Sequence, residues 1–233
     1  DVIIIDEAQD LLNSTFRPIL NESVLSGFVN GKWYAFVDLD AQKIYDQTDS
    51  LSFVKTEIGD IPIFTLTRNC RNVIQIGHFA EGLLPFKPKW NSFRRNENHP
   101  NPQLVKIGSD QDMTPILDDV VESCKRLGFS YDDISILSPL EISEPQNIFS
   151  ESKFASKFVS GGKKSGKINF TSIAKFKGLE SPCVILMDLE QLSTSSNKDD
   201  LLYVGLTRAT DRLVILANNL AHSFMIKLLE EGV

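Results

Sequence analysis

No stretch of this chain approaches the roughly 18 consecutive apolar residues that a membrane span requires, and no basic segment followed by an apolar core and a small-residue cleavage site stands at its start. No membrane partner is expected, and the compartment expected is the cytoplasm. Cysteine is equally sparse. Cys70, Cys124 and Cys183 are odd in number, far apart in sequence and outside any CxxC spacing, so they read as reduced thiols and not as a disulfide framework. His78, His99 and His222 are scattered in the same way, which leaves no zinc-binding pattern. A GxxxxGK[ST] loop, the backbone nest that cradles nucleotide phosphates, is also missing.

What is present is an ordinary globular composition, with 42% hydrophobic and 24% charged residues among 233. That is enough chain for one large domain or one and a half small ones, and it excludes disordered and collagen-like classes. The net charge of −7 argues against a nucleic-acid partner until its distribution is considered. Residues 1–60 hold eleven acids and four bases, which accounts for the whole excess. Beyond them lies a stretch of one sign. Lys153, Lys157, Lys163, Lys164, Lys167, Lys175 and Lys177 occur with no acid between Glu151 and Glu180. Two readings stay open at this level, a solvated surface loop or a strip facing phosphates.

Val2-Ile3-Ile4-Ile5 is a continuous apolar run of the kind seen in strands buried on both faces of a parallel sheet. A run of that kind with only Asp1 before it leads to the expectation that the sequence begins inside a domain. From there strand and helix patterns alternate, the mark of an α/β fold with a parallel sheet and helices on both faces. Strands are expected at 2–5, 33–37, 62–66, 103–107, 133–137, 167–172, 182–188 and 212–216, and helices at 8–25, 72–84, 113–127, 199–208 and 219–230. The 113–127 helix is the clearest, with Met113, Ile116, Leu117, Val120, Val121, Cys124 and Leu127 on one stripe, Asp112 to cap its start and Gly128 to end it. Loop signals gather at 59–62, 85–102 and 140–166, and the first sets the expected boundary between a unit at 1–60 and one at 61–233.

Asp6 and Glu7 stand where the first apolar run ends, at the carboxyl edge of the expected parallel sheet, where open α/β folds place ligands. Two adjacent carboxylates there suit a metal-dependent phosphate site: one can hold Mg²⁺ while the other accepts a proton from an attacking water. The full string Asp6-Glu7-Ala8-Gln9-Asp10 resembles motif II of the superfamily I helicases of the Rep/UvrD/PcrA type, which implies Asp6 for Mg²⁺ and Glu7 for the water. Four further strings resemble later motifs of that family in the same order. In 37–45, VDLDAQKIY, the resemblance makes Gln42 a γ-phosphate sensor and Tyr45 a strand contact. In 66–72, LTRNCRN, it sends Arg71 to the γ-phosphate. In 171–180, TSIAKFKGLE, it gives Glu180 the nucleotide ribose and Lys175 and Lys177 the nucleic-acid backbone, with Gly178 permitting close approach. In 202–209, LYVGLTRA, it makes Arg208 an arginine finger.

The resemblance covers the chain from its first residues to about 213 and implies two RecA-like domains. Residues 1–60 would be the end of the first and 61–233 the second, working with ATP and Mg²⁺ on a single-stranded or partly duplex nucleic acid, DNA in the first place, with 3′ to 5′ movement. Lys163 and Lys164 join Tyr45, Lys175 and Lys177 as expected nucleic-acid contacts. Three positions depart from the family pattern: Asp38-Leu39 stands for Gly-Asp, Cys70 for the Tyr that stacks on adenine, and Ala174 for a His. The family's large accessory domain between the fourth and fifth motifs is reduced here to the lysine-rich stretch. With no phosphate loop, an upstream part of the same protein is expected to supply one, and the chain alone is expected to be inactive. The alternative is a helicase-derived module that binds nucleic acid or protein without hydrolysing ATP.

Overall fold

A computed structural model describes residues 2–11, 15–37, 62–84, 90–95, 98–109 and 111–231. The chain divides into two compact units, Asp1–Leu66 and Thr67–Val233.

In the first unit, β1 (Ile3–Ile5) and β2 (Trp33–Ala35) pair in parallel, Ile3 opposite Trp33. Ile5, Ala8, Val24 and Phe28 form its small core, tied by the Trp33 indole N–H donating to the Phe28 carbonyl at 2.8 Å. Ile4 is 67% exposed, so these two strands bury only one face of a run whose composition suits burial on both. The single helix expected over 8–25 is two short ones, α1 (Ala8–Leu11) and α2 (Arg17–Ser23), followed beyond that range by α3 (Gly27–Asn30). Pro18 fits the first turn of α2, where no N–H is needed, but would break a helix running through it. Ser26 and Gly27, at φ 71° and 68°, turn the chain between α2 and α3.

The strand expected at 62–66 is also displaced. Residues 62–67 are irregular, and the strand is β3 (Arg68–Val73), paired in parallel with β4 (Ser92–Arg95) inside the segment expected to be loop. Pro62 cannot donate to a ladder, whereas the polar 68–73 segment gains a partner that no apolar pattern announces. Next come α4 (Ile74–Leu83), β5 (Gln103–Lys106), α5 (Met113–Arg126), β6 (Ile134–Ser138), α6 (Pro145–Ile148), β7 (Phe158–Val159), β8 (Ile168–Ser172), β9 (Ser181–Leu186), α7 (Lys198–Thr207), β10 (Ala209–Ala217) and α8 (Asn219–Glu231).

Six of these strands form one sheet in the order β5-β10-β9-β6-β8-β7, every neighbouring pair parallel. The fold is α/β, and alternation along the strands explains its layers. Ile185 of β9 lies in the core under α5 with Leu117, Val121, Ile134, Ile136, Phe170 and Val214. The next residue, Leu186, points to the opposite face and packs against α7, where Gly205 leaves room; a Cβ there would stand 3.3 Å from the Leu186 side chain. No described helix is long and apolar enough to cross a membrane.

The thiols read as isolated are not all apart in space. Cys124 on α5 and Cys183 on β9 are buried in contact, the Cys183 thiol donating to the Cys124 sulfur at 3.4 Å, while Cys70 is exposed. That hydrogen bond, with burial, pushes the Cys183 thiol well above its ordinary range. Alkylation under native conditions should therefore label Cys70 alone, and all three thiols only after unfolding. Native labelling at Cys124 or Cys183, read by peptide mass mapping, would contradict this packing.

Candidate nucleotide and nucleic-acid site

The first unit's carboxylates follow directly from β1. Asp6 and Glu7 come immediately after Ile5, and the parallel ladder continues beyond it, with Phe36 N–H donating to Ile5 O at 2.8 Å and Ala8 N–H to Phe36 O at 2.9 Å. Between those bonds the chain turns sharply. Glu7 sits at φ 49°, a left-handed conformation uncommon outside glycine, and its N–H donates to Asp6 Oδ1 at 3.0 Å. The turn holds two carboxylates side by side at the C-terminal end of a strand. Asp6 is exposed and offers hard oxygen donors, a set that fits Mg²⁺ held jointly with phosphate oxygens. Gln42 and Tyr45 lie outside the described residues.

In the second unit, three residues far apart in sequence meet at one turn. Because all strands of the sheet run the same way, their N-terminal ends share one edge. Glu180 directly precedes β9 and Arg208 directly precedes β10, and Ser181 N–H donates to the Arg208 carbonyl at 3.0 Å. The Arg208 guanidinium, 1% exposed as a residue, donates from Nη1 to the Leu179 carbonyl at 3.2 Å. Arg71 of β3 donates from Nε to Glu180 Oε2 at 3.2 Å. Gly178, at φ 79°, shapes the turn; a Cβ there would meet nothing within 4 Å, so glycine serves its torsion and not a close approach.

Arg71 is brought to this turn by a neighbour that the sequence reading passed over. Asn72 is buried, and its amide donates to the carbonyls of Thr207 at 2.9 Å and Ala209 at 2.7 Å, one on either side of Arg208. Asn69 completes the clasp: its Nδ2 donates to Asn72 Oδ1 at 3.0 Å, and its own Oδ1 accepts from the backbone N–H groups of Arg71 and Asn72. Two asparagines three positions apart in one strand, buried at 5% and 1%, are the signal that could have pointed to them.

The expected nucleic-acid lysines divide between the two edges of the sheet. Lys175 follows β8 at the C-terminal edge, where its Nζ lies 3.0 Å from Glu141, which follows β6. Lys163, Lys164 and Lys167 precede β8 at the N-terminal edge. Lys167 Nζ donates to Ser156 O at 2.7 Å, Lys164 is exposed, and Lys163 Nζ donates to the Glu180 carbonyl at 3.0 Å.

The span holding Glu180 and Arg208 is the part of the chain that comparison with known families finds. Residues 167–216 match the UvrD-like helicase C-terminal domain. The matched segment runs from the start of β8 through β9 and α7 into β10. Arg71, Asn72 and Lys163 lie outside the matched residues. The C-terminal domain of a possible DNA helicase from Lactobacillus plantarum WCFS1 superposes with a TM-score of 0.48 at 17% identity, over 66% of this chain and 95% of that one. No curated protein matches the chain.

Proposed function

We propose that this chain is the C-terminal part of an ATP-dependent helicase or translocase acting on a nucleic-acid strand, with DNA as the track and 3′ to 5′ as the direction. The observation that carries the reading is the convergence of Arg71, Glu180 and Arg208 on the turn before β9, held in register by the Asn72 clasp. Two guanidiniums beside one turn suit the spread negative charge of a transferring phosphoryl group, because each is permanently charged and forked toward oxygen. Both are engaged in this structure, Arg71 by Glu180 and Arg208 by the Leu179 carbonyl. The Arg71–Glu180 pair, with side chains 37% and 59% exposed, is an inexpensive one to exchange for a phosphate and a ribose hydroxyl. Asp6 would be the residue to hold Mg²⁺, which would supply neutralising charge for the phosphoryl group of ATP, and Glu7 the residue to accept a proton from the attacking water. The units at 1–66 and 67–233 would be the end of the first RecA-like domain and the second one.

The test joins this chain to a segment carrying a GxxxxGK[ST] loop and compares it with the chain alone. Single-stranded DNA should stimulate ATP hydrolysis in the joined protein only. There, Glu7→Gln should slow turnover by about 10²–10⁴ while ATP affinity changes less than about threefold. Unchanged turnover in Glu7→Gln would overturn the role given to Glu7. A joined protein that binds DNA but never hydrolyses ATP would establish the non-catalytic module instead.

A further inference from the structure

Lys163 occupies a place that its setting in a lysine-rich stretch did not suggest. The stretch reads as one strip, yet the fold sends Lys175 to the C-terminal edge of the sheet and the 160–167 loop to the N-terminal edge, beside the turn that carries Glu180. The loop is short and sharply shaped. Gly161 and Gly162, at φ 83° and 115°, are consecutive left-handed residues, and a Cβ on either would meet nothing within 4 Å, so glycine is required by torsion alone. Their effect is to fold the loop back so that Lys163 Nζ reaches the Glu180 carbonyl at 3.0 Å.

The Leu179-Glu180 turn thus receives three cationic groups: Arg71 on the Glu180 carboxylate, Arg208 on the Leu179 carbonyl and Lys163 on the Glu180 carbonyl. Of the three, Arg71 is set against the carboxylate while Lys163 and Arg208 are set against carbonyl oxygens. Three cationic groups gathered on one turn suit a ligand with several negative oxygens close together. The spacing Gly161-x₄-Gly166-Lys167 has an outline of the phosphate loop, but the local chemistry differs. Ile168 stands where that loop has its hydroxyl, the chain continues into strand β8 and not into a helix, and Lys167 Nζ reaches the Ser156 carbonyl at 2.7 Å and not the Leu179-Glu180 turn. The lysine delivered to the cationic turn is Lys163.

We propose that Lys163 is a third polyphosphate-binding residue of the second unit, holding the phosphates of a nucleoside triphosphate on the same turn as Arg71 and Arg208, and that it is not a contact to the nucleic-acid strand. The proposal rests on the reading of Arg71 and Arg208 as phosphate ligands. It adds a residue outside the segment that matches the helicase family, delivered by a loop that the family resemblance describes only as a shortened insertion.

The full chain is titrated with inorganic tripolyphosphate, with ATP and Mg²⁺, and separately with a single-stranded oligodeoxynucleotide, following backbone and Arg Nε shifts by nuclear magnetic resonance so that millimolar binding is visible. Lys163→Gln should weaken both polyphosphates roughly three- to tenfold and leave the oligonucleotide within about twofold. Lys163→Arg should restore polyphosphate binding, since it keeps the charge. Lys106→Gln removes the same charge at the opposite edge of the sheet, where β5 ends, and should change neither polyphosphate. Loss of oligonucleotide affinity in Lys163→Gln, with a flatter salt dependence and unchanged polyphosphate binding, would overturn the proposal and make the loop a strand contact. If Arg71→Ala weakens polyphosphate binding and Lys163→Gln does not, the proposal fails while the site reading stands. If neither variant changes it, or the unaltered chain binds no polyphosphate, the reading of the cluster fails and Lys163 falls with it.

Discussion

Asn72→Ala is expected to lower the unfolding free energy of the second unit by about 3 kcal/mol, because it removes the side-chain partner of several buried polar groups. The amide satisfies the Thr207 and Ala209 carbonyls and accepts from Asn69, so truncation orphans two acceptors and one donor inside a site that is 1% exposed at residue 72. For a unit of this size the thermal midpoint should fall by roughly 6–12 °C. Asn72→Asp should be worse than alanine. It keeps an oxygen toward Asn69 but sets a carboxylate against two carbonyl oxygens, trading two hydrogen bonds for two repulsions. The measurement is chemical or thermal denaturation of both variants. A change under about 0.5 kcal/mol in Asn72→Ala, the ordinary range for a surface substitution, would mean that the clasp does not hold β3 to the start of β10.

The second large effect is catalytic. In the joined protein that hydrolyses ATP, Arg208→Ala should reduce turnover by about 10³-fold or more, the range seen when an arginine that stabilises phosphoryl charge is removed. ATP affinity should change far less, since the group acts most on charge that develops during transfer. Arg208 is buried, so its loss can also destabilise the unit. Arg208→Lys separates the two effects: it retains a cation and most of the volume but loses the fork, so it should recover the melting temperature more fully than the rate. Equal losses of stability and rate in both variants, with full turnover regained under stabilising conditions, would assign Arg208 a structural role only.

Much of the second unit's architecture was legible because its strands are buried on both faces. Ile134–Ser138, Ile168–Ser172 and Ser181–Leu186 are almost wholly inaccessible, and these short segments rich in apolar residues were placed within two residues. The α5 stripe was legible for the complementary reason, one apolar face repeating at helical spacing above polar residues. What escaped was structure held by polar atoms. The β3–β4 pair is built from Arg68–Val73 and Ser92–Arg95, segments whose side chains carry no alternating apolar signal. The broken helix at 8–25 escaped because apolar spacing persists across Pro18 while the backbone cannot.

The site divides along the same line. Asp6, Glu7, Arg71, Glu180 and Arg208 were singled out by strings of neighbouring residues, and the turn before β9 gathers the last three. Asn72 was missed because its partners are the main-chain carbonyls of Thr207 and Ala209, more than a hundred residues away, and Asn69 because it acts through Asn72. The two edges of the lysine strip were indistinguishable in sequence, since only the direction of β8 separates residues before it from residues after it.

The Asn72 clasp also bears on how such a site can change over generations. Its amide reads carbonyl oxygens, which every amino acid possesses, so positions 207 and 209 can alter their side chains without disturbing the bond that aligns Arg71 with Arg208. The constraint is therefore one-sided. Position 72 is pinned while its partners are free to drift, and paired substitutions linking 72 to 207 or 209 should not accumulate. A contact that fixes the geometry of the site would then be invisible to any method that infers proximity from correlated change.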